Sequence, residues 1–463
     1  MESGSVKQEK ITIIIEAITR IPKTRMERKT PQILISASGI AVLAAIFALW
    51  CGGVRYSAAG MTAAVISAVL YTLVCLRFVP KWVDAWRDGE PDAPGLDGEP
   101  RHICVRILAA VLLWDVLIIV IVYILRRIFG CTDGFFDALD FWTCTDSGHY
   151  LDIARDWYLS ESSVDRLVQL VFLPGYPVAV RLATAVTGDG LIAGLIVSAL
   201  CFAGANVMLY KLVSLDCGHE TALRAVKFLS LSPAVFFFAA PMSESLFLLC
   251  TLGCMYLVRR GKMLPACLLG AYAAFTRSLG VVLIVPVVFE LVQRRAKLKD
   301  YLCVLIIPLG FAAYCLVNYT VSGDAFKFMQ YQREHWNQQL GWFFNTAAYQ
   351  TENAIYSASG NSVNFFGLWL PNLLAQALSL VLMLFAVKRL RSSYTAYFLA
   401  YFIVAVGATW LLSAPRYLAA AFTVPTALAV ITHDRRADWC LTTLSVLAGA
   451  VYLCEFILRW QVW

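Results

Sequence analysis

The sequence predicts an all-α polytopic membrane protein, and three observations carry that expectation. Sixty per cent of the 463 residues are hydrophobic and 15% are charged, with a mean hydropathy of +0.69. A water-soluble domain could not hide that much apolar surface. The apolar residues fall in long runs, none with the two-residue alternation of an outer-membrane strand, which leaves helices as the spanning element. Lys and Arg cluster in a subset of the connecting segments, the asymmetry that orients a chain across a bilayer.

Residues 1–32 are polar, and Lys7, Lys10, Arg20, Lys23, Arg25, Arg28 and Lys29 place them in the cytoplasm. The run Ile11 to Ile15 is too brief for the apolar core of a signal peptide; an interfacial helix and a disordered tail fit it equally. Spans at 33–52 and 57–79 make an accessory hairpin, 33–79. A cytoplasmic linker, 80–103, follows; its core from Asp88 to Pro100 is acidic, rich in Pro and Gly, and has no apolar face. The main body, 104–463, then supplies spans at 104–125, 190–211, 221–239, 241–258, 263–276, 278–293, 301–321, 366–388, 394–413, 415–432 and 438–458. That makes about thirteen in all, with outer loops at 126–189 and 323–365.

The basic runs at 259–262, 294–299 and 388–391, and the pair Arg435-Arg436, belong on the cytoplasmic side. One parity satisfies them only if 166–187 does not cross, and Pro174-Gly175-Tyr176-Pro177 would break a simple span. A surface or re-entrant helix is expected there, and Arg126-Arg127 is an accepted exception to the charge rule. The net charge of +7 reflects this bias and argues for membrane orientation, not for nucleic acid. Most of the 14 cysteines lie in apolar runs and read as small buried side chains. Cys131 and Cys144 share an outer loop and could pair in an oxidising compartment; two free thiols are the other expectation. No Cys or His spacing resembles a zinc site.

Candidate chemistry collects in four places. Asp146-Ser147-Gly148-His149-Tyr150 opens a helix over 147–158 that is too polar to span. Ser147 could cap that helix, with Asp146 at its positive end and His149, Ile153 and Asp156 on one face; Leu151 and Ala154 would turn to the bilayer. An ionised carboxylate there suits a general base, and His149 could orient it or contact a phosphate; the alternative is that Asp146 is only a helix cap. Ser243-Glu244-Ser245 follows Pro241 and opens another helix, with its hydroxyls available as caps. Glu244 is either a functional acid at the membrane edge or a first-turn acid suited to the helix dipole. Arg277 and Arg416 are isolated charges amid long apolar runs, on the same outer side by parity. They could hold a phosphate bidentately, or snorkel to headgroups. The aromatic residues of 324–365, including Phe343 and Phe344, suggest anchoring to the headgroup layer, with substrate contact the alternative. Asp115, near mid-membrane, needs a partner or a wet cavity. Lys211, Arg181 and Glu290 read as ordinary end-of-helix charges.

These motifs occur in a recognisable order: Asp146 to Tyr150, Phe172-Leu173-Pro174-Gly175-Tyr176-Pro177, Ser232-Pro233-Ala234 through Ser245, Thr276-Arg277-Ser278-Leu279-Gly280, and Pro415-Arg416-Tyr417-Leu418. Together, over roughly 104–432, they resemble the PIG-V type of GPI mannosyltransferase II and its prokaryotic relatives. The resemblance implies a GT-C glycosyltransferase bundle and inverting transfer of mannose from a polyprenyl (dolichyl) phosphate sugar to a hydroxyl. Asp146 would be the base, with His149 and Glu244 in the catalytic set, and the resemblance implies no nucleotide sugar and no tightly bound cofactor. Arg277, Arg416, Tyr417, Ser243, Tyr150 and Tyr176 would contact donor phosphate and substrate. The acceptor would be a glycolipid, a polymer or a protein. The membrane would be a bacterial plasma membrane with the site on its outer face, or the endoplasmic reticulum with a lumenal site. Thr145 stands where family members tend to carry Trp, Met242 where they carry an aromatic, and Leu173 where they carry Phe. From composition alone a transporter or flippase of an amphiphilic anion competes, as does a non-catalytic subunit of a larger transferase.

Overall fold

The computed structural model describes residues 25–90, 102–132, 134–159, 168–409 and 413–462. Among them the chain is helical throughout; the one extended pairing is an isolated bridge between Leu340 and Ala408. Most of the basic residues expected in the N-terminal segment, the Ile11 to Ile15 run and the linker core beyond Glu90 lie outside the described residues.

The principal helices are α1 (Arg25–Gly53), α2 (Ala58–Asp88), α3 (Ile103–Ile128), α4 (Ser147–Asp156), α5 (Gly175–Thr187), α6 (Gly190–Ser230), α7 (Glu244–Arg259), α8 (Met263–Thr276) and α9 (Ile284–Gln293). They continue as α10 (Ile307–Ser322), α11 (Lys327–Trp336), α12 (Phe343–Ala358), α13 (Leu370–Ala386), α14 (Ser392–Val406), α15 (Ala414–Ala419), α16 (Thr423–Ile431) and α17 (Arg435–Ile457). Seven helical stretches among the described residues are long and apolar enough to cross a membrane: Thr30–Gly53, Ala58–Asp88, Ile103–Ile128, Gly190–Ser230, Leu298–Ser322, Ser362–Ala386 and Arg435–Ile457. This is an integral membrane protein of the all-helical class.

The thirteen expected runs do not become thirteen full-length spans. The run 241–258 becomes α7, a helix of 16 residues, which rises only about 24 Å against a hydrocarbon core of about 30 Å. Residues 278–293 divide into a 3-10 stretch, Ser278–Leu283, and α9; 415–432 divides between α15 and α16. These breaks are tolerated because the segments are enclosed by other helices, where exposed backbone groups need not face lipid. The expected spans 190–211 and 221–239 share one helical stretch, broken at Gly218, whose φ of 77° suits glycine. Helix α5 has 13 residues and rises about 20 Å, too little to cross.

Helix α2 runs on through Pro80 to Asp88, so the first part of the expected linker is helical, with Trp82 and Trp86 stacked on its surface. The hairpin packs α2 against α12, and Phe343 and Phe344 are buried against Phe47, Trp50 and Tyr71. These two aromatics therefore hold helices together and do not anchor headgroups; Phe326 and Trp342 remain exposed. Arg126 and Arg127 fix the entry to the first outer loop by donating to the carbonyls of Cys131 and Thr132. Cys131 and Cys144 are free thiols. Asp115 is buried on the face of α3, and neither of its carboxyl oxygens has a hydrogen-bond partner among the described residues, so the expected partner is not met.

At the far end of α7 the basic runs meet a second set of acids. Arg391 donates to Glu290 over 2.6 and 3.1 Å, while Arg259 reaches Asp216 at 2.7 Å and Arg294 reaches Glu290 at 3.4 Å. Glu290 is fully buried, which corrects its reading as an ordinary helix-end charge: Arg391, at the start of α14, and Arg294, at the end of its own helix, converge on it. Glu90 accepts from the amide and hydroxyl of Ser392, tying the end of α2 to the start of α14. Replacing Glu290 with Ala leaves the buried guanidinia of Arg259 and Arg391 to share the single carboxylate of Asp216 and is expected to cost about 3–5 kcal/mol. Thermal unfolding of the purified protein in detergent checks this; a midpoint equal to that of wild type would contradict it.

Candidate active site

The site lies at the opposite end of α7, about 22 Å along the helix from Arg259 by helical rise. It forms where the segment between α3 and α4, the start of α7, the α8–α9 junction and α15 meet. Asp146, Glu244, Arg277 and Arg416, dispersed over 271 positions of the sequence, meet there.

Asp146 occupies the N-cap position of α4, but its side chain makes no capping hydrogen bond. Its carboxylate pairs instead with Arg416, Oδ2 to Nη1 at 2.8 Å. Ser147 is not the cap either: it is the first helical residue, with its hydroxyl buried. The residue before the acid, Thr145, has a φ of 56°, a left-handed conformation that a β-branched residue adopts only at a cost of about 1–3 kcal/mol. Strained backbone thus immediately precedes the acid. The helix ends at Asp156 and not 158, and its buried face carries Ser147, Tyr150, Ile153 and Ala154, so Ala154 packs inward and not toward lipid. His149 stacks on Phe172, ring centroids 4.6 Å apart, and Trp336 from α11 abuts the same ring edge-on.

Glu244 opens α7, where the helix dipole favours a carboxylate. Its side chain is 1% exposed; its Oε1 accepts from Arg277 Nη1 and forms an ion pair with Arg416, whose Nε lies 3.2 Å away. The flanking serines do not cap the helix. Ser243 bonds the Tyr150 hydroxyl at 2.9 Å and accepts from Arg277 at 3.0 Å, while Ser245 donates to the Phe238 carbonyl. Tyr417 lies beneath both guanidinia, its ring centroid 4.9 Å from Arg277 and 5.3 Å from Arg416. Such cation–π contacts hold two like charges against one surface. Burial disfavours the charge of Arg416, yet Asp146 and Glu244 outweigh it and raise its pKa well above the usual arginine range. Burial likewise pushes the Tyr150 phenol up, so it remains a neutral hydroxyl.

Tyr176 takes a different place from the rest. It is fully buried, and its hydroxyl is used by the Gly194 carbonyl and Ser198. The motif around it acts through its neighbour: Gly175 receives a hydrogen bond on its carbonyl from Tyr272, and a Cβ on Gly175 would lie 2.8 Å from Thr276 Cα. This close approach seats the Pro174-Gly175 turn beside Arg277. Sequence reasoning passed over Phe237, which faces Arg416, and Tyr401, which donates to the Tyr417 carbonyl. It also missed Asn372, which accepts from the Ala414 amide and so fixes the start of α15. Apolar runs conceal these, because an isolated Asn or Tyr in a helix has no local signature. Among the described residues no three His, Cys, Asp or Glu side chains gather where they could hold a metal ion.

A multispan helical membrane protein with paired arginines and an accessible carboxylate at one end of its bundle is the class that fold and site define. Residues 126–300 match the model of the family described as Mannosyltransferase (PIG-V). Over that stretch the chain is similar to the PIG-V mannosyltransferases. The match is shorter than 104–432 and ends before Arg416. GPI alpha-1,6-mannosyltransferase 2 of Homo sapiens is 32% identical over 162 residues, covering 32% of this chain and 31% of that protein. The protein of the same name from Rattus norvegicus is 30% identical over 204 residues, 38% of this chain and 40% of the relative. The chain therefore spans well under half the length of these curated relatives. Among solved structures, ArnT from Cupriavidus metallidurans bound to undecaprenyl phosphate aligns with a TM-score of 0.43 and 15% identity, over 75% of this chain and 76% of that one. Its apo state aligns with a TM-score of 0.44 and 14% identity, over 70% and 74%.

Two substitutions test the geometry. Gly175→Ala should lower stability by about 1–3 kcal/mol through overpacking against Thr276, read as a lower unfolding midpoint in detergent. Tyr150→Phe removes one hydrogen bond to Ser243 and should cost only about 1 kcal/mol; a larger loss for Phe than for Gly175→Ala would contradict the packing described.

Proposed function

We propose that this chain is a membrane mannosyltransferase of the GT-C type that moves mannose from a polyprenyl (dolichyl) phosphate sugar to a hydroxyl of a glycolipid or related acceptor, with inversion. The observation that carries the reading is the pairing of an accessible carboxylate, Asp146, with Arg416 beside Arg277, in a chain related to the PIG-V mannosyltransferases. Asp146 is 31% exposed at its side chain while its partners are enclosed, so it is the acid that an incoming hydroxyl can reach.

In this reading the acceptor oxygen attacks the anomeric carbon from the face opposite the phosphate. The carbon–oxygen bond to phosphate breaks with its electron pair, and the acceptor proton passes to Asp146. Arg277 and Arg416 take up the negative charge that grows on the leaving phosphate. The lipid anchor of the donor lies in the bilayer alongside the helices, and the site belongs to the outer face, or to the lumenal face in an endoplasmic reticulum. The acceptor is a glycolipid, a cell-surface polymer or a protein.

The test is transfer of radiolabelled mannose from polyprenyl-phosphate mannose to mixed membrane lipids by purified protein. Wild type should transfer label, and Asp146→Asn should lose about two to four decades of rate with its fold intact. Wild-type-like turnover by that variant would remove Asp146 from the role of base. Arg277→Ala and Arg416→Ala should each raise the apparent KM for the donor and lower kcat, and an unchanged KM in both would sink the phosphate clamp.

A further inference from the structure

The four charges of the site alternate in sign along a chain of contacts: Asp146, Arg416, Glu244, Arg277. Arg416 is the shared member, with Nη1 on Asp146 and Nε on Glu244. The two carboxylates differ in access. Asp146 is partly open, whereas Glu244 is enclosed and both guanidinia converge on one of its oxygens. Glu244 therefore meets a substrate only through the arginines.

We propose that Glu244 is a positioning residue: a fixed counter-ion that keeps Arg416 between Asp146 and the donor phosphate, so that one guanidinium serves the base before transfer and the leaving group after it. This rests on the lipid-phosphate donor proposed above. The charges balance across the step. The acceptor oxygen bonds to the anomeric carbon, the carbon–oxygen bond to phosphate breaks, and its electrons stay on phosphate, which passes from a monoanionic diester to a dianionic monoester. The proton released goes to Asp146, which passes from carboxylate to carboxylic acid. One unit of negative charge thus moves from Asp146 to phosphate while the total is unchanged. Arg416 loses its attraction to Asp146 as its attraction to phosphate grows. Glu244 keeps its position and charge throughout, so the guanidinium needs only to pivot about its Nε contact. Tyr417 supplies a ring face over which both guanidinia can slide.

The other titratable groups that face this set come from every packed element. Tyr150 comes from α4, Tyr176 from α5, Tyr401 from α14, Tyr417 from α15 and Tyr452 from α17. Tyr417 touches both arginines through its ring, but none of these groups brings a carboxylate to both as Glu244 does among the described contacts.

The test follows kcat against pH at saturating polyprenyl-phosphate mannose for the full chain in detergent. Wild type first fixes the acid limb, which reports the base. Glu244→Gln leaves Asp146 beside an excess of positive charge and makes it a weaker base. The expected result is a kcat lower by about 10–100-fold, an acid limb displaced to lower pH by about one unit, and a donor KM unchanged or reduced. An acid limb that stays in place while KM rises and kcat falls would overturn the proposal, because a purely structural role predicts that pattern. Glu244→Asp keeps the charge and should keep the wild-type limb; a limb displaced as far as in the Gln variant would equally overturn it. A charge-compensated pair covers the case in which Glu244→Gln does not fold. Arg277→Gln should move the limb to higher pH, and adding Glu244→Gln should bring it back; a double variant with the limb of Arg277→Gln alone would defeat the proposal. A wild type that moves no mannose from this donor at any pH removes the donor reading itself, an outcome distinct from all of these.

Discussion

Charge in a mostly apolar bundle has to be paired, and the pairing of Glu244 with two arginines is the interaction around which the rest of the site is arranged. An enclosed carboxylate without partners would be driven to neutrality, and an enclosed guanidinium is costly unless an acid and hydrogen bonds meet it. Glu244 meets Arg277 and Arg416 at once, at the N-terminus of a helix whose dipole already favours its charge. This fixes where α8 may end and where α15 must begin. Asn372 holds the α15 backbone, Gly175 admits the Pro174 turn against Thr276, and Tyr150 reaches Ser243 from the outer loop. Asp146 then completes the array as the most exposed of its four charges among the described residues.

The second ionic set, around Glu290, Arg259, Arg391 and Asp216, obeys the same rule at the other end of α7. One helix of 16 residues thus carries a charge cluster at each end, and the lengths of its neighbours follow from that. Helices that are enclosed by others need not be long enough to cross alone, because their broken backbone turns are shielded from lipid. The outer helices, α1, α3 and α17, face lipid over much of their surface and keep full length.

Much of the site was legible in the sequence. Asp146, Glu244, Arg277 and Arg416 stand out because ionisable residues amid apolar runs carry a solvation cost that needs a reason. Their adjacent prolines, glycines and serines mark the breaks that put them at helix ends. What could not be read was partnership. Asp146 and Ser243 both look like helix caps, since capping is what a short polar side chain does locally, yet their bonds go to Arg416, Tyr150 and Arg277. Glu290 looked like a solvated helix end for the same reason, and Tyr176 looked available because nothing nearby in sequence announces Ser198.

The sequence by itself determined the class of the protein, its helical segments, the position in the chain of the polar segment before α4 and the identities of the charged residues. Those follow from hydropathy, helix-breaking residues and the cost of desolvation, all of which act within a few turns of chain. Tertiary structure alone decided which segments would be full-length spans, which aromatic residues would face protein, and which carboxylate would be enclosed while the other stayed open. These depend on contacts between segments as much as 328 residues apart, and local patterns carry no record of them. An arginine is attractive to any acid in reach, so only the packed bundle chooses which acid it meets.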